Sequence, residues 1–200
     1  MRISKEKEER ESGFGLIELM VVLGVVAIAL GIGVPVFTTL AANNRMSGAT
    51  NDLITSLHAA RSEALKRQVT VTLCPTPDGA GACVAGGNLG SGWTVFVDRN
   101  ADGAISADDV ILQQHAALDG DLRNGVTATA ADLMYTAAGS LALDAPLTDF
   151  HIQLCDHRGD ADTGAGIAAG RWIQISQLGR QQLVRTRADL QSDRNPLGGC

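Results

Sequence analysis

The 200-residue sequence has few aromatic side chains and no excess of positive charge. Aromatic residues make up 4% of the chain and glycine numbers 23, which favours a loop-rich fold over a large core filled with aromatic rings. The formal net charge of −6 excludes a uniformly basic nucleic-acid-binding protein, although it leaves room for a local basic patch. Hydrophobic residues make up 45%, which is too many for a wholly disordered chain.

Motifs for catalysis and for metal binding are also missing from the sequence. It contains no G-x-S-x-G nucleophile motif and no glycine-rich phosphate loop after a predicted strand, so we do not expect an enzyme. The four histidines show no ligand spacing around the four cysteines, which argues against a zinc site. Four cysteines permit two disulfide bonds if the compartment is oxidising.

A long apolar run follows a polar N-terminal segment. Residues 1–13 carry four basic and four acidic side chains, whereas the 24 residues from Phe14 to Phe37 contain one charge, Glu18. A helix needs about 20 apolar residues to cross a bilayer. A buried core helix is an alternative, but such a helix usually has a polar stripe. We therefore predict that residues 14–37 cross a membrane.

An ordinary secretory signal is a second alternative for the same run. Its apolar region usually has about 7–15 residues and ends at a small-x-small cleavage site. The run here is longer, and its best cleavage site, near Thr39–Ala41, is poor. A carboxylate inside an apolar segment costs free energy unless it lies at the interface or finds a partner, so Glu18 is a candidate functional residue.

The sequence GFGLIE at positions 13–18 resembles the class III signal of type IV pilins and type II secretion pseudopilins. Gly15 stands where the family usually has threonine. The resemblance implies that prepilin peptidase cleaves between Gly13 and Phe14 and then N-methylates Phe14. It also implies that the apolar helix stays in the cell inner membrane as a single pass, with the C-terminal domain in the periplasm.

Cleavage at this junction would give Glu18 a partner. The new ammonium group of Phe14 in one subunit can pair with the Glu18 carboxylate of a neighbouring pilin or pseudopilin. In a low-dielectric environment such a pair is strong, and either charge left alone is costly. Glu18 is therefore expected to set the register in which subunits join a filament.

The segment after the apolar run has a helical period. Apolar side chains recur at spacings of three, four and seven residues, at Met46, Leu53, Leu57, Ala60 and Ala64. This spacing predicts that an amphipathic half of the same helix covers residues 38–67.

Residues 68–200 then change to strand patterns. Val69, Val71 and Leu73 alternate with polar side chains. Further strands are predicted at 93–97, 110–113, 126–129, 150–154, 172–176 and 182–186, whereas 156–170 is predicted to be a surface loop. We expect an α+β fold in which a long N-terminal helix packs on a mainly antiparallel β domain of two small sheets.

Several features of this region, in order, resemble the GspH/FimT family of minor pilins and pseudopilins. They are Cys74 with Cys83, GWTVFVD at 92–98, LCD at 154–156, IQIS at 173–176, and Gly179-Arg180. The resemblance implies assembly near the tip of a type IV pilus or a type II secretion pseudopilus, in support of pilus biogenesis or protein secretion. The N-terminal motif is common to both systems and does not separate them.

The cysteines are expected to pair in the periplasm, where disulfide bonds persist. Cys74 and Cys83 enclose a short loop rich in proline and glycine, and we predict that they pair. The remaining pair, Cys155 and Cys200, would then fix the C-terminal tail.

An acidic segment from Asp98 to Asp109 resembles an EF-hand loop. Its candidate calcium ligands are Asp98, Asn100, Asp102 and Asp109. The twelfth position is aspartate instead of the usual glutamate, and a predicted strand precedes the loop where an EF-hand has a helix. The alternative is a simple turn between two strands.

The last thirty residues are locally basic. Some FimT-like minor pilins bind DNA during natural transformation through a Gly-Arg-x-Arg pattern, and Gly179-Arg180 matches its first half only. Arg185 and Arg187 would share one face of a strand and could replace the missing arginine. Arg180, Arg185 and Arg187 are therefore candidate DNA-binding residues. The alternative is a solvated strand edge.

Overall fold

The computed structural model describes residues 15–84, 86–130, 132–143 and 148–200. The chain divides into two compact units, Met1–Ala42 and Asn43–Cys200. The helix α1 spans Leu16–Arg67 and ends where the hydrophobic period predicts its end.

The apolar part of α1 has no protein packed on it. Every residue from 15 to 40 is exposed, including the large side chains of Leu23, Ile28 and Phe37. Within the described ranges, α1 is the one helix long and apolar enough to cross a membrane. The helix continues through Pro35, whose carbonyl accepts hydrogen bonds from the Thr38 and Thr39 hydroxyls at 2.9 and 3.0 Å.

Two antiparallel sheets form the second unit. The first has five strands in the order β3-β2-β1-β5-β6, namely Val110–His115, Trp93–Val97, Val71–Pro75, Leu133–Tyr135 and Leu141–Ala142. The second has four strands in the order β4-β7-β8-β9, namely Val126–Ala128, Asp149–Leu154, Ile167–Ser176 and Gln181–Thr186. A four-residue helix, α2, follows at Arg187–Leu190. This architecture confirms the predicted α+β fold.

The apolar stripe of α1 fills the space against both sheets. Its five predicted members are at most 1% exposed: Met46, Leu53, Leu57, Ala60 and Ala64. They share one core with inward side chains of both sheets, among them Trp93, Phe150 and Ile173. Spacings of three and four residues place these side chains on one face of the helix, so a single helix face packs against the two sheets.

Polar contacts fix α1 against the turns of the sheets. The Arg61 guanidinium donates from Nε to Gly139 O at 3.0 Å and from Nη2 to Leu178 O at 2.7 Å. Gly139 lies between β5 and β6, and Leu178 lies between β8 and β9, so one side chain holds a turn from each sheet. The Trp93 indole, fully buried, donates to the Ser56 hydroxyl of α1 at 3.0 Å.

The structure adds the strands β5 and β6 and the helix α2 to the predicted elements, and it has strand in part of a predicted loop. Ile167–Gly170 was predicted as part of a loop, but it forms the first part of β8. Ala168 and Ala169 are fully buried, and Ala168 packs in a small cluster with Trp172, Val184 and Leu190. Small side chains are needed there because α2 covers this part of the sheet, so the segment lacks the bulky alternation that reveals a strand.

Candidate functional site

Glu18 lies in the first turn of α1, in the apolar part of the helix. It is exposed, and its backbone N–H donates to the Gly15 carbonyl at 3.0 Å. A carboxylate in the first turn is favoured by the helix dipole. Because the Glu18 side chain is exposed, its carboxylate can accept hydrogen bonds from a cationic group of another molecule. The predicted cleavage site, Gly13–Phe14, lies outside the described residues.

Both expected disulfide bonds are present in the second unit. Cys74–Cys83 closes a loop directly after β1, and Cys155–Cys200 joins the end of β7 to the C-terminus, each with Cα atoms 5.6 Å apart. The tail has a second attachment at Asn195, which is 4% exposed. Its side-chain amide donates to Gln153 Oε1 at 2.9 Å and to Leu190 O at 2.8 Å.

The acidic segment forms the connection between β2 and β3. Asp98 is 1% exposed, and its carboxylate accepts hydrogen bonds from the Thr72 hydroxyl and the Gly103 N–H, both at 2.9 Å. Asp109 accepts from the Ser106 hydroxyl at 2.7 Å and from the Arg99 N–H at 3.0 Å. These two carboxylates thus hold the connection closed with bonds inside the chain.

The candidate calcium ligands are not assembled as a set. Asn100 donates its amide to Asp102 Oδ2 at 2.7 Å, so the two side chains bind each other. In the described parts of the chain, no group of three or more His, Cys, Asp or Glu side chains is placed to hold a metal ion. Burial opposes ionisation of Asp109, but hydrogen bonds from Arg99 and Ser106 lower its pKa below the usual value. The geometry is that of a hydrogen-bonded turn.

The three candidate DNA-binding arginines do not form one cluster. Arg180 lies in the turn before β9, Arg185 lies near the end of β9, and Arg187 begins α2. Arg185 lies five positions after Arg180, which is about 16 Å along an extended chain. The prediction that Arg185 and Arg187 share one strand face is wrong, because β9 ends at Thr186. All three side chains are exposed and form no ion pair with the residues that the structure describes.

The structure explains why a glycine, Gly179, precedes Arg180. Gly179 has a φ of +75°, which favours glycine. A Cβ at this position would lie 3.0 Å from Arg61 Nε and would overlap the Gly139 carbonyl oxygen. The Gly-Arg pair is therefore explained by the close approach of two turns.

Sequence reasoning missed two arginines inside the domain. Arg171 in β8 is 7% exposed, and its Nη1 donates to the carbonyls of Ala168, Ala169 and Gly170. The side chain of Arg158 is 14% exposed and pairs with Asp156, with Nη2 and Oδ2 2.6 Å apart. No local signal in the sequence identifies Arg171, because neighbouring side chains of a strand point to opposite faces and a charged residue beside an apolar one is ordinary there.

Comparisons with known proteins assign this architecture to a family. The family model described as type II transport protein GspH matches residues 49–193. The model described as the prokaryotic N-terminal methylation motif matches residues 10–34, which include Glu18.

Individual relatives agree with these matches. The pilin-like protein PilA1 of Thermus thermophilus is 35% identical over 92 residues, which is 45% of this chain and 50% of the relative. The chain thus aligns with about half the length of that relative. The crystal structure of the type IV minor pilin FimU from Pseudomonas aeruginosa is 26% identical with a TM-score of 0.50, and the match covers 70% of this chain and 89% of FimU. A second crystal form of FimU gives a TM-score of 0.47.

The GspH match spans most of the chain, and the methylation motif lies where the apolar helix begins. The chain therefore belongs to the GspH family of minor pilins and pseudopilins.

Proposed function

We propose that this protein is a structural subunit that assembles near the tip of a type IV pilus or a type II secretion pseudopilus, where it supports pilus biogenesis or protein secretion. Before assembly it is anchored in the inner membrane by residues 14–37, with residues 38–67 and 68–200 in the periplasm. Residues 1–13 are a leader that prepilin peptidase removes.

The exposed apolar surface of α1 is the observation that carries this proposal. No side chain of residues 15–40 is covered by the described protein. Burial of apolar surface contributes about 25 cal/mol per Å², so an exposed run of this length is strongly unfavourable in water. Lipid can cover it before assembly, and the helices of neighbouring subunits can cover it in a filament.

Glu18 supplies the register in this mechanism. Apolar packing between helices is non-directional, so it does not by itself select one axial position. A charge pair between Glu18 and the N-methylated Phe14 ammonium of the next subunit would select one position. A shifted subunit would leave two uncompensated charges in an apolar environment.

Replacement of Glu18 tests this role. We expect Glu18→Ala to insert into the membrane at the wild-type level but to lower recovery in sheared filaments by more than about tenfold, because the Phe14 ammonium loses its partner. The measurement is the ratio of filament-bound to membrane-bound protein. Glu63→Ala, which removes a carboxylate from the domain part of α1, is the control and should leave this ratio unchanged. An unchanged ratio for Glu18→Ala would refute the role of Glu18 in assembly.

DNA binding during natural transformation is a second candidate function. The observation that favours it is the row of exposed arginines, Arg180, Arg185 and Arg187, that have no ion-pair partner among the described residues. They lie before, in and directly after β9, and this spacing suits the repeated charges of a phosphate backbone better than a single phosphate group. The acidic remainder of the chain would repel DNA outside this row.

A salt-dependent DNA titration of the oxidised unit Asn43–Cys200 tests this second function. Micromolar binding that weakens steeply with salt, and that is lost when Arg180, Arg185 and Arg187 are all changed to Ala, is expected if DNA is a ligand. Arg99→Ala, on the acidic connection, is the matched control and should have no effect. No binding at low salt would eliminate DNA and leave the structural function alone.

We also propose that the Asp98–Asp109 connection works as a turn without calcium. Asp98→Ala should lower the stability of the domain by about 3 kcal/mol, because the buried Thr72 hydroxyl and the Gly103 N–H lose a charged acceptor. Asp102→Ala, on an exposed side chain, should cost less than about 1 kcal/mol. The melting temperature should not change with a calcium chelator. A drop with chelator that Asp102→Ala abolishes would instead demonstrate a calcium site.

A further inference from the structure

Three arginines meet at the end of the second unit where α1 enters it. Arg158 Nη1 donates to the side-chain oxygen of Asn43 at 2.6 Å, and Asn43 is the first residue of that unit. Arg171 is paired across the sheet with Leu154, directly before Cys155. Arg185 follows Val184, which is paired with Trp172 next to a shift in the β8–β9 register. Arg171 is close enough to Arg185 and to Arg158 for their charges to repel it.

The positive charge of this cluster is incompletely balanced. Arg158 pairs with Asp156, whereas Arg171 and Arg185 form no ion pair with any described residue. Arg171 uses Nη1 for its three carbonyl contacts and makes no other hydrogen bond with the described residues. Burial, and then repulsion from Arg185 and Arg158, lower the pKa of Arg171, and the attraction of Asp156 offsets this only in part. An anion at this position would relieve that repulsion.

The chemistry of the cluster favours a phosphate group. A guanidinium is planar and always charged, and it binds phosphate oxygens through two parallel N–H bonds. Exposed Arg185 can approach a ligand from solvent, while the buried position of Arg171 limits how much its hydrogen bonds are weakened by water.

The position of the cluster in the chain indicates where that phosphate comes from. Asn43 lies six positions after Phe37, the last residue of the apolar run, and six residue steps span at most about 20 Å. The polar headgroups of a bilayer flank its hydrocarbon core. If residues 14–37 cross the membrane, the cluster is therefore within reach of lipid headgroups.

We propose that Arg158, Arg171 and Arg185 bind the phosphate of an anionic phospholipid headgroup while the subunit waits in the membrane for assembly. This rests on the membrane anchoring in the proposed function. The contact would be released when the subunit leaves the bilayer for the filament, so the lipid site would act on the membrane pool alone. DNA phosphates are the competing ligand, and they are treated as an outcome of the test.

Native mass spectrometry of the full-length chain in detergent tests the lipid site, with phosphatidylglycerol and phosphatidylcholine as probes. The wild type should retain phosphatidylglycerol in preference to phosphatidylcholine. Arg185→Gln should weaken this retention about fivefold. It is the main variant because Arg185 forms no hydrogen bond or ion pair with the residues that the structure describes, whereas Arg171→Gln removes three buried hydrogen bonds.

Arg180→Gln is the matched control, since Arg180 is an exposed arginine at the other end of β9. The Leu178 turn beside it contacts Arg61, about 27 Å along α1 from Asn43. Arg180→Gln should retain phosphatidylglycerol like the wild type.

Four results would overturn the proposal. They are equal retention of the two lipids, equal loss in Arg180→Gln and Arg185→Gln, complete displacement of phosphatidylglycerol by inorganic phosphate, and Arg185-dependent binding of a DNA duplex without lipid binding. Displacement by phosphate would indicate a small-anion site. A chain that fractionates without detergent as a soluble protein would refute the membrane anchoring itself, which is a different failure.

Discussion

The burial of one stripe of α1, from Met46 to Ala64, is the interaction on which the domain depends. Both sheets place their inward side chains against this stripe, so neither sheet has a complete core without the helix. The short strands β4, β5 and β6 would have little to hold them as isolated elements. Arg61 and Trp93 add hydrogen bonds that fix the rotation of the helix against the turns and strands around it.

The same helix has two kinds of surface along its length. Its domain part satisfies its apolar stripe within the chain, whereas residues 15–40 present apolar side chains in every direction. A helix that is apolar on all sides is stable only where lipid or other helices cover it. The domain part specifies the folded subunit, and we propose that the apolar part drives assembly and that Glu18 restricts how subunits align.

Much of the fold could be predicted from the sequence because its strongest signals are periodic. The period of α1, the alternation in β1 and the apolar centres of β2 and β7 identify their elements directly. The strand β6 has two residues and is too short to show an alternating pattern. The first part of β8 does not alternate between apolar and polar side chains, because it contains two buried alanines. Whether these segments form strands depends on the residues that pack over them, and the local sequence carries no information about those residues.

The candidate functional residues were likewise predicted only where a local pattern in the sequence identifies them. Glu18 stands out as one charge in an apolar run, and the cysteine pairs were expected from the short Cys74–Cys83 loop and from the periplasmic location that the family resemblance implies. The Arg158–Arg171–Arg185 cluster could not be predicted, because its members come from a loop and two strands that meet only in the folded domain. The predicted strand face shared by Arg185 and Arg187 was wrong for the same reason, since sequence proximity did not reveal that β9 ends at Thr186 and α2 begins at Arg187.

Mass analysis of the N-terminal peptide tests the central claim most directly, with the protein purified from membranes of cells that have or lack prepilin peptidase. We expect a mature chain that begins at Phe14 with one added methyl group, and an intact leader of residues 1–13 when the peptidase is absent. A chain cut near Ala41, or one that keeps its leader in both strains, would contradict assembly as a pilin-type subunit.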